Sequence, residues 1–265
     1  MSRNHLYLVD GSGYIFRAYH QLPPLTNRHG TPVGAVYGYT TMLWKLADAL
    51  HKEEGPTHLA VVLDKGSHTF RNDLYGLYKA NRPPPPEDLI PQFAVVREAT
   101  RAFGVSCIEL PGYEADDVIA TVTREAVERG IEVVIVTSDK DARQLLGPKV
   151  RLFNARKNSF LDEAFLMEDW GVRPDQVVDF QSLVGDSVDN VPGAPGIGVK
   201  TASALINEYG DLDTLLARAG EIKQDKRRQT LIDFADQIRL SRALVTLDCD
   251  TPLPEPAACR GRHTR

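Results

Sequence analysis

Four short apolar runs, separated by stretches of helical periodicity, constrain most strongly what this chain can fold into. Leu6-Tyr7-Leu8-Val9-Asp10, Leu59-Ala60-Val61-Val62-Leu63-Asp64, Val105 to Leu110 and Val133-Val134-Ile135-Val136-Thr137 each read as a buried strand. Val150 to Asn154 is a candidate fifth. Between them, Val36 to Leu50, Asp88 to Phe103 and the stretch after Ala115 carry apolar residues at helical spacing. Pro91 is tolerable in a first helical turn. Gly11-Ser12-Gly13 reads as a turn. Strands alternating with helices predict an α/β fold, a mostly parallel sheet with helices on both faces. From about Glu163 only helices are predicted. The expected organisation is an α/β domain over 1–162, a helical subdomain over 163–250 and a loose, Pro-containing tail over 251–265.

Sheets of this kind place ligands beyond the carboxyl ends of their strands. Asp10 and Asp64 close the first two runs, and Asp139 and Asp141 follow the fourth. Glu114, Asp116 and Asp117 lie between the third run and its helix. Acids in a first helical turn suit the helix dipole, and one or two need no other purpose. Three repel each other, and no Lys or Arg lies within six residues of them in sequence. On that stretch alone, helix capping and a divalent metal remain equally open. Three aspartates converging on the same rim favour the metal. Asp186 and Asp189 form a further pair at i and i+3 in the helical half.

Carboxylates without His or Cys make a hard oxygen site, suited to magnesium or manganese and not to zinc. The 186–189 spacing lacks the alternation of an EF-hand loop, which argues against calcium. Nine acids exceed the needs of one magnesium ion. They suit two ions about 4 Å apart, an arrangement that serves phosphodiester hydrolysis. No Ser-His-Asp or Cys-His pair suggests itself, so water is the expected nucleophile. The formal charge of −5 argues mildly against a polyanionic substrate. Setting the nine acids aside leaves 27 acids against 31 bases, a balance of +4. Cys107, Cys249 and Cys259 are widely separated and fit a reducing cytoplasm rather than a disulfide framework. The sequence shows no signal peptide and no apolar segment of membrane-spanning length.

Two basic segments suggest what such a site would cut. Between Phe70 and Arg82, Arg71, Lys79 and Arg82 are interleaved with Tyr75 and Tyr78. A solvated helix face is the ordinary reading. Stacking faces beside phosphate-binding charges suit single-stranded nucleic acid, and the weak apolar face predicts a segment standing away from the core. Gly196, Gly198 and Lys200 open another helix. A tight interhelical turn is the ordinary reading of a bare Gly-x-Gly. Here the two glycines allow close approach of a backbone phosphate and Lys200 adds charge, which describes a helix-hairpin-helix over 192–209.

With these residues in view, the chain closely resembles the 5′-nuclease domain of bacterial DNA polymerase I, in the flap endonuclease superfamily. The resemblance rests on Leu8-Val9-Asp10-Gly11-Ser12 with Tyr14 to His20, on YGLYKANRP at 75–83, GYEADD at 112–117, SDKD at 138–141 and GDSVDNVPGAPGIGVKT at 185–201. These occur in family order and cover nearly the whole chain to about residue 250. The resemblance implies a PIN-like (resolvase-like) sheet, a helical arch at about 70–95, and a 5′→3′ exonuclease and 5′-flap endonuclease. It implies a first metal cluster of Asp10, Asp64, Glu114, Asp116 and Asp117. Asp139 and Asp141 would complete the sites near the substrate, and Asp186 and Asp189 would serve the outer cluster. Arg17, Lys79 and Arg82 match basic positions that engage the reacting phosphate, and the glycine hairpin would hold duplex and a potassium ion. The implied partners are DNA with a 5′ flap or 5′ single strand and RNA–DNA primer junctions. A polymerase would act in trans or within a longer parent chain. A cytoplasmic, nucleoid-associated monomer with no membrane is expected. Polymerase I members continue into further domains, so a stand-alone nuclease, an excised domain and a truncated product all fit.

Three other readings compete. A PIN-like ribonuclease would use a similar acidic rim, but would be smaller and lack the 192–209 hairpin. A non-catalytic duplex-binding module would use its acids only for structural metal. A haloacid-type phosphatase needs Asp-x-Asp, and Asp10-Gly11-Ser12 lacks the second acid.

Overall fold

In the computed structural model, which describes residues 4–49 and 56–253, six strands form one sheet. They are β1 (His5–Asp10), β2 (His58–Val62), β3 (Ser106–Ile108), β4 (Glu132–Val136), β5 (Val150–Asn154) and β6 (Ser159–Leu161), in the order β3-β2-β1-β4-β5-β6. All neighbours pair in parallel except β5 and β6. The short antiparallel β6 has no counterpart in the sequence reading, since three residues carry too little periodicity. The first helix was also missed. α1 (Gly11–Gln21) starts where a turn was expected, with Asp10 as its N-cap accepting from Gly13 N at 3.0 Å. Glycine at 11 is a packing requirement, because a Cβ there would lie 2.5 Å from Leu63 Cδ2.

The alternation of side chains along the strands divides the core into two layers. Leu6, Leu8, Ala60, Val62, Val133 and Ile135 face α5 (Ala115–Glu128, which enters through Val118 and Ile119). Val9, Val61, Val134 and Val136 face α1, α2 (Gly34–Ala49) and α4 (Ile90–Ala102). Burial on both faces explains why these strands read as continuous apolar runs. The first layer continues without a break into the helices of the C-terminal half. These are α6 (Glu163–Trp170), α7 (Val177–Val184), α8 (Val199–Tyr209), α9 (Leu212–Ala217), α10 (Asp225–Asp233) and α11 (Ala235–Val245). The expected loose tail lies outside the described residues from 254 on.

The chain runs outward from β1 in one direction through β2 and β3, then resumes on the other side of β1 with β4 and β5. The carboxyl ends of β1 and β4 therefore flank the switch point, where a parallel sheet opens a crevice. Further along, the loop from α7 to α8 passes close to itself. Gly193 has φ +61°, and a Cβ there would meet Gly185 N at 2.6 Å. Strain and overlap together should make Gly193→Ala lose about 3 kcal/mol. Urea unfolding checks this, with Gly196→Ala as a partial control: its φ is +77° but its surroundings are open.

A candidate metal centre at the carboxyl edge of the sheet

Asp10 ends β1, Asp64 follows β2, and Asp139 follows β4. With Glu114 and Asp116, from the start of α5, they line one cavity of about 270 Å³. Each wall is held by short polar contacts. Asp10 Oδ2 accepts from Thr137 Oγ1 at 3.0 Å. Asp64 Oδ2 accepts from Ser12 Oγ at 2.6 Å, and its Oδ1 from Ala115 N at 2.9 Å. Glu114 Oε1 accepts from Lys79 Nζ at 2.7 Å and Oε2 from Tyr78 hydroxyl at 3.2 Å. Asp116 accepts no hydrogen bond among the described residues.

The electrostatics of this cup are unfavourable as it stands. Burial, then the charges of Asp139, Asp10, Asp64 and Glu114, push the Asp116 carboxyl well above its ordinary range. Burial, with Asp64 and Asp139 adding to it, pushes Asp10 up to about 6. Burial and then Asp139 push Asp141 up to about 7. A buried carboxylate set that resists ionisation and lacks enough protein counter-charge has the donor chemistry of a divalent-cation site.

A second group adjoins the first. Asp141, Asp186 and Asp189 each offer a carboxylate oxygen within 4.8 Å of the others, closer than any other three candidate ligands among the described residues. Asp186 Oδ2 also meets Lys140 Nζ at 3.0 Å. Gln181 from α7 donates Nε2 to Asp141 Oδ1 at 2.5 Å, while its buried Oε1 has no hydrogen-bond partner.

Asp117 departs from the expected ligand set. It is 0% exposed, and both its oxygens are occupied. Arg71 Nη1 and Nη2 bind it bidentately at 2.7 Å each. Glu114 N donates to Oδ2 at 3.1 Å, and Asp248 N to Oδ1 at 2.9 Å. Of the three clustered acids, one is a cap and buried ion-pair partner, and two face the cup. Its counter-charge was invisible locally because Arg71 lies 46 residues away.

The segment around Arg71 is corrected with it. Arg71, on α3 (Phe70–Leu74), is 1% exposed and cannot contact a strand in solvent. Its remaining donors go to Leu244 O and Thr246 O at 2.8 Å each. Tyr78 is 4% exposed and clusters with Val191, Leu244 and Val245, and Tyr75 packs against that cluster. These two rings are therefore not a stacking surface. The base of the expected arch is bolted to the core, and residues 76–87 are mostly exposed.

Lys79 and Arg82 stay at the site and line the cup. Lys79 adopts φ +56°, a strained conformation fixed by Lys79 N donating to Asp189 O at 2.9 Å. That turn leaves Nζ 2.7 Å from Glu114 and 3.7 Å from Asp189. Arg82 pairs with Asp189. Arg17 is not on the cup; it lines a neighbouring cavity on the other side of Asp10. Gly196, Gly198 and Lys200 are exposed at the start of α8, with open space around both glycines. Sequence reasoning missed Ser12, Thr137, Lys140 and Gln181, which orient the acids, and Phe16, whose exposed ring lines the cup. Ser12 and Lys140 sit inside the acidic motifs, a signal available from sequence; Gln181 offered none.

Two matches decide the family. A model of the 5′-3′ exonuclease N-terminal resolvase-like domain matches residues 5–171, and one of the 5′-3′ exonuclease C-terminal SAM fold matches 172–263. The chain belongs to the 5′-3′ exonuclease family. A 5′-3′ exonuclease of Aquifex aeolicus is 36% identical over 245 residues, covering 92% of this chain and 83% of the relative. DNA polymerase I of Rhizobium leguminosarum is 57% identical over 254 residues, covering 94% of this chain but only 25% of that protein. The chain thus spans about a quarter of that relative. Among solved structures, a bacteriophage T5 flap endonuclease complex with DNA and metal ions matches with TM-score 0.76 at 23% identity, covering 92% of this chain and 90% of that one. The catalytic core of Rad2 with DNA substrate matches with TM-score 0.60 at 19% identity, covering 96% and 82%. These likenesses support the shared nuclease fold, PIN-like and α/β with a helical C-terminal half. No helix among the described residues is long and apolar enough to cross a membrane.

Asp116 and Asp117, though adjacent, should behave oppositely. Asp117→Asn leaves Arg71 buried without its partner charge and should cost about 3–5 kcal/mol of stability. Asp116→Asn removes repulsion and should raise the melting temperature of metal-free protein while weakening divalent-cation binding. The pH dependence follows from the raised groups. They favour the fold while protonated, and that contribution is lost as pH rises through about 6 for Asp10 and about 7 for Asp141. With EDTA present, these groups should make melting lower at pH 8 than at pH 5.5, and magnesium should restore more stability at pH 8. Differential scanning calorimetry of wild type and both variants checks all three expectations.

Proposed function

We propose that the protein hydrolyses DNA phosphodiesters as a metal-dependent 5′→3′ exonuclease and 5′-flap endonuclease, using two magnesium ions for which manganese can substitute. The single observation that carries this is the electrostatic state of the cup. Five acids crowd a cavity of about 270 Å³, and burial with mutual repulsion holds Asp116 well above its ordinary ionisation range. Asp10, Asp64, Glu114, Asp116 and Asp139 would hold one ion, and Asp141, Asp186 and Asp189 the other. The cations supply Lewis acidity toward water and phosphate oxygens.

This chain's own residues supply the rest. Ser12 and Thr137 fix the rotamers of Asp64 and Asp10, so the oxygens are placed before a ligand arrives. Lys79 and Arg82 stand at the mouth, paired with acids, and can turn to a phosphate oxygen once a cation takes over those carboxylates. Glu114 is held between Lys79 and Tyr78, which limits the motion that this exchange requires. The mostly exposed stretch 76–87, which brings Lys79 and Arg82 to the cup, is the segment under or through which a 5′ single strand would pass. Gly196, Gly198 and Lys200 would hold downstream duplex, with potassium on the hairpin carbonyls.

The same reading extends to the domains, substrates and partners. An α/β nuclease domain over 1–162 and a helical DNA-binding subdomain over 163–250 would act as a monomer on 5′ flaps, 5′ single strands and RNA–DNA primer junctions. A polymerase would serve as partner, in trans or in a longer chain, in the bacterial cytoplasm at the nucleoid.

A 5′-labelled flap substrate tests the reading. Short 5′ fragments should appear with magnesium and vanish with EDTA. Lys79→Ala should lower the single-turnover rate at least 100-fold while changing duplex affinity less than about threefold. Tight, metal-dependent binding without cleavage would mark a binding module instead.

A further inference from the structure

A second cavity of about 340 Å³ adjoins the metal cup, and Asp10, Gly13 and Ser138 line both. Asp10 stands in the dividing wall, with Oδ1 on Gly13 N and Oδ2 on Thr137 Oγ1. On one side of the second cavity, α1 presents Arg17, His20 and Gln21, spaced so that they share a face. Opposite them stand Ala155 and Arg156, from the turn joining β5 to β6. The floor includes Tyr14, which is buried.

The two chambers differ in charge. Around the cup every base is engaged: Lys79 with Glu114 and Asp189, Arg82 with Asp189, Lys140 with Asp186. In the second chamber the bases have no acidic partner among the described residues. Arg17 bonds only the neutral Gln21, through Nε at 3.3 Å, and the guanidinium of Arg156 makes no ion pair. Two guanidiniums from separate elements, with an imidazole and the Ser138 hydroxyl, converge on a space large enough for a phosphate and part of its sugar. Asp10, the acid in the wall, accepts from Gly13 N and Thr137 Oγ1 and is shared with the cup; it is the one acid in the lining, set against two guanidiniums.

We propose that this second cavity is a phosphate subsite that seats one nucleotide phosphate of the substrate beside the metal cup. The inference rests on the nuclease reading above and gives Arg17 a ligand distinct from the phosphate that Lys79 and Arg82 face. The phosphate is either an internal backbone diester or a 5′-terminal monoester. Both present the oxygens that paired guanidiniums bind.

The experiment measures binding of wild-type and variant protein to 5′-flap DNA in calcium across a salt series. Arg156→Ala should weaken binding about tenfold. It should also reduce the slope of log affinity against log salt by the share of one phosphate, about 0.9 on duplex or about 0.7 on single strand. Arg156→Lys should retain the slope, and Lys157→Ala, outside the cavity, should match wild type. Two arms identify the phosphate. Single methylphosphonates stepped along each strand should weaken wild-type binding at one position and not that of Arg156→Ala, if the ligand is an internal diester. If it is the terminal monoester, the difference between 5′-phosphate and 5′-hydroxyl substrates should vanish in the variant. Arg156→Ala with a wild-type slope, or with every phosphate dependence intact, overturns the subsite while wild-type cleavage leaves the nuclease reading standing. Equal losses in Arg156→Ala and Lys157→Ala would show a diffuse field and also overturn it.

Discussion

Mutual repulsion among buried carboxylates is the constraint around which this protein is arranged. A parallel sheet brings its strand ends together at a switch point, and here those ends deliver Asp10, Asp64 and Asp139 to one rim. The start of α5 adds Glu114 and Asp116. Burial raises the cost of every charge in such a place, and each neighbour raises it again. The fold tolerates this because two apolar layers, one on each face of the sheet, hold the strand ends in place whatever the acids do. Crowding the acids in this way comes at the expense of some stability.

Around that strained rim, one buried ion pair supplies order. Asp117 and Arg71 join α3, the N-terminal cap of α5, the end of α11 and the segment after it, through six hydrogen bonds. Glu114 is fixed through this pair, since its own N–H ends on Asp117. Lys79 is fixed from the other side by the 186–190 loop, to which Asn81 and Asn190 also tie the 77–82 segment. The mouth of the cup, the acids of its floor and the helical half are therefore coupled through short bonds rather than through exposed salt bridges, which would contribute little.

Much of this was legible in the sequence, for physical reasons that can be named. A strand buried on both faces must be apolar throughout, so its ends, and the aspartates on them, stand out. The outer pair at Asp186 and Asp189 was visible because its two acids are close in sequence. The Arg71–Asp117 pair was not, because each partner sits inside a motif that suggested another role: Arg71 among tyrosines, Asp117 among acids. Tyr78 misled in the same way. Its ring is buried, and its hydroxyl serves Glu114. The first helix was hidden by Gly11 and Gly13, whose turn-forming character outweighed Tyr14, Ile15 and Ala18 behind them. Asp10 as an N-cap was the signal that could have revealed it.

The central claim is that these carboxylates are completed by divalent cations and that several hold protons until then. Titration calorimetry of the wild-type chain with magnesium at pH 6.5, repeated in buffers of different ionisation enthalpy, tests it directly. The expected result is saturable binding at two sites, with proton release that diminishes toward pH 8 as the acids become ionised before binding. Absence of saturable binding, or binding with no protons released at pH 6.5, would contradict the account.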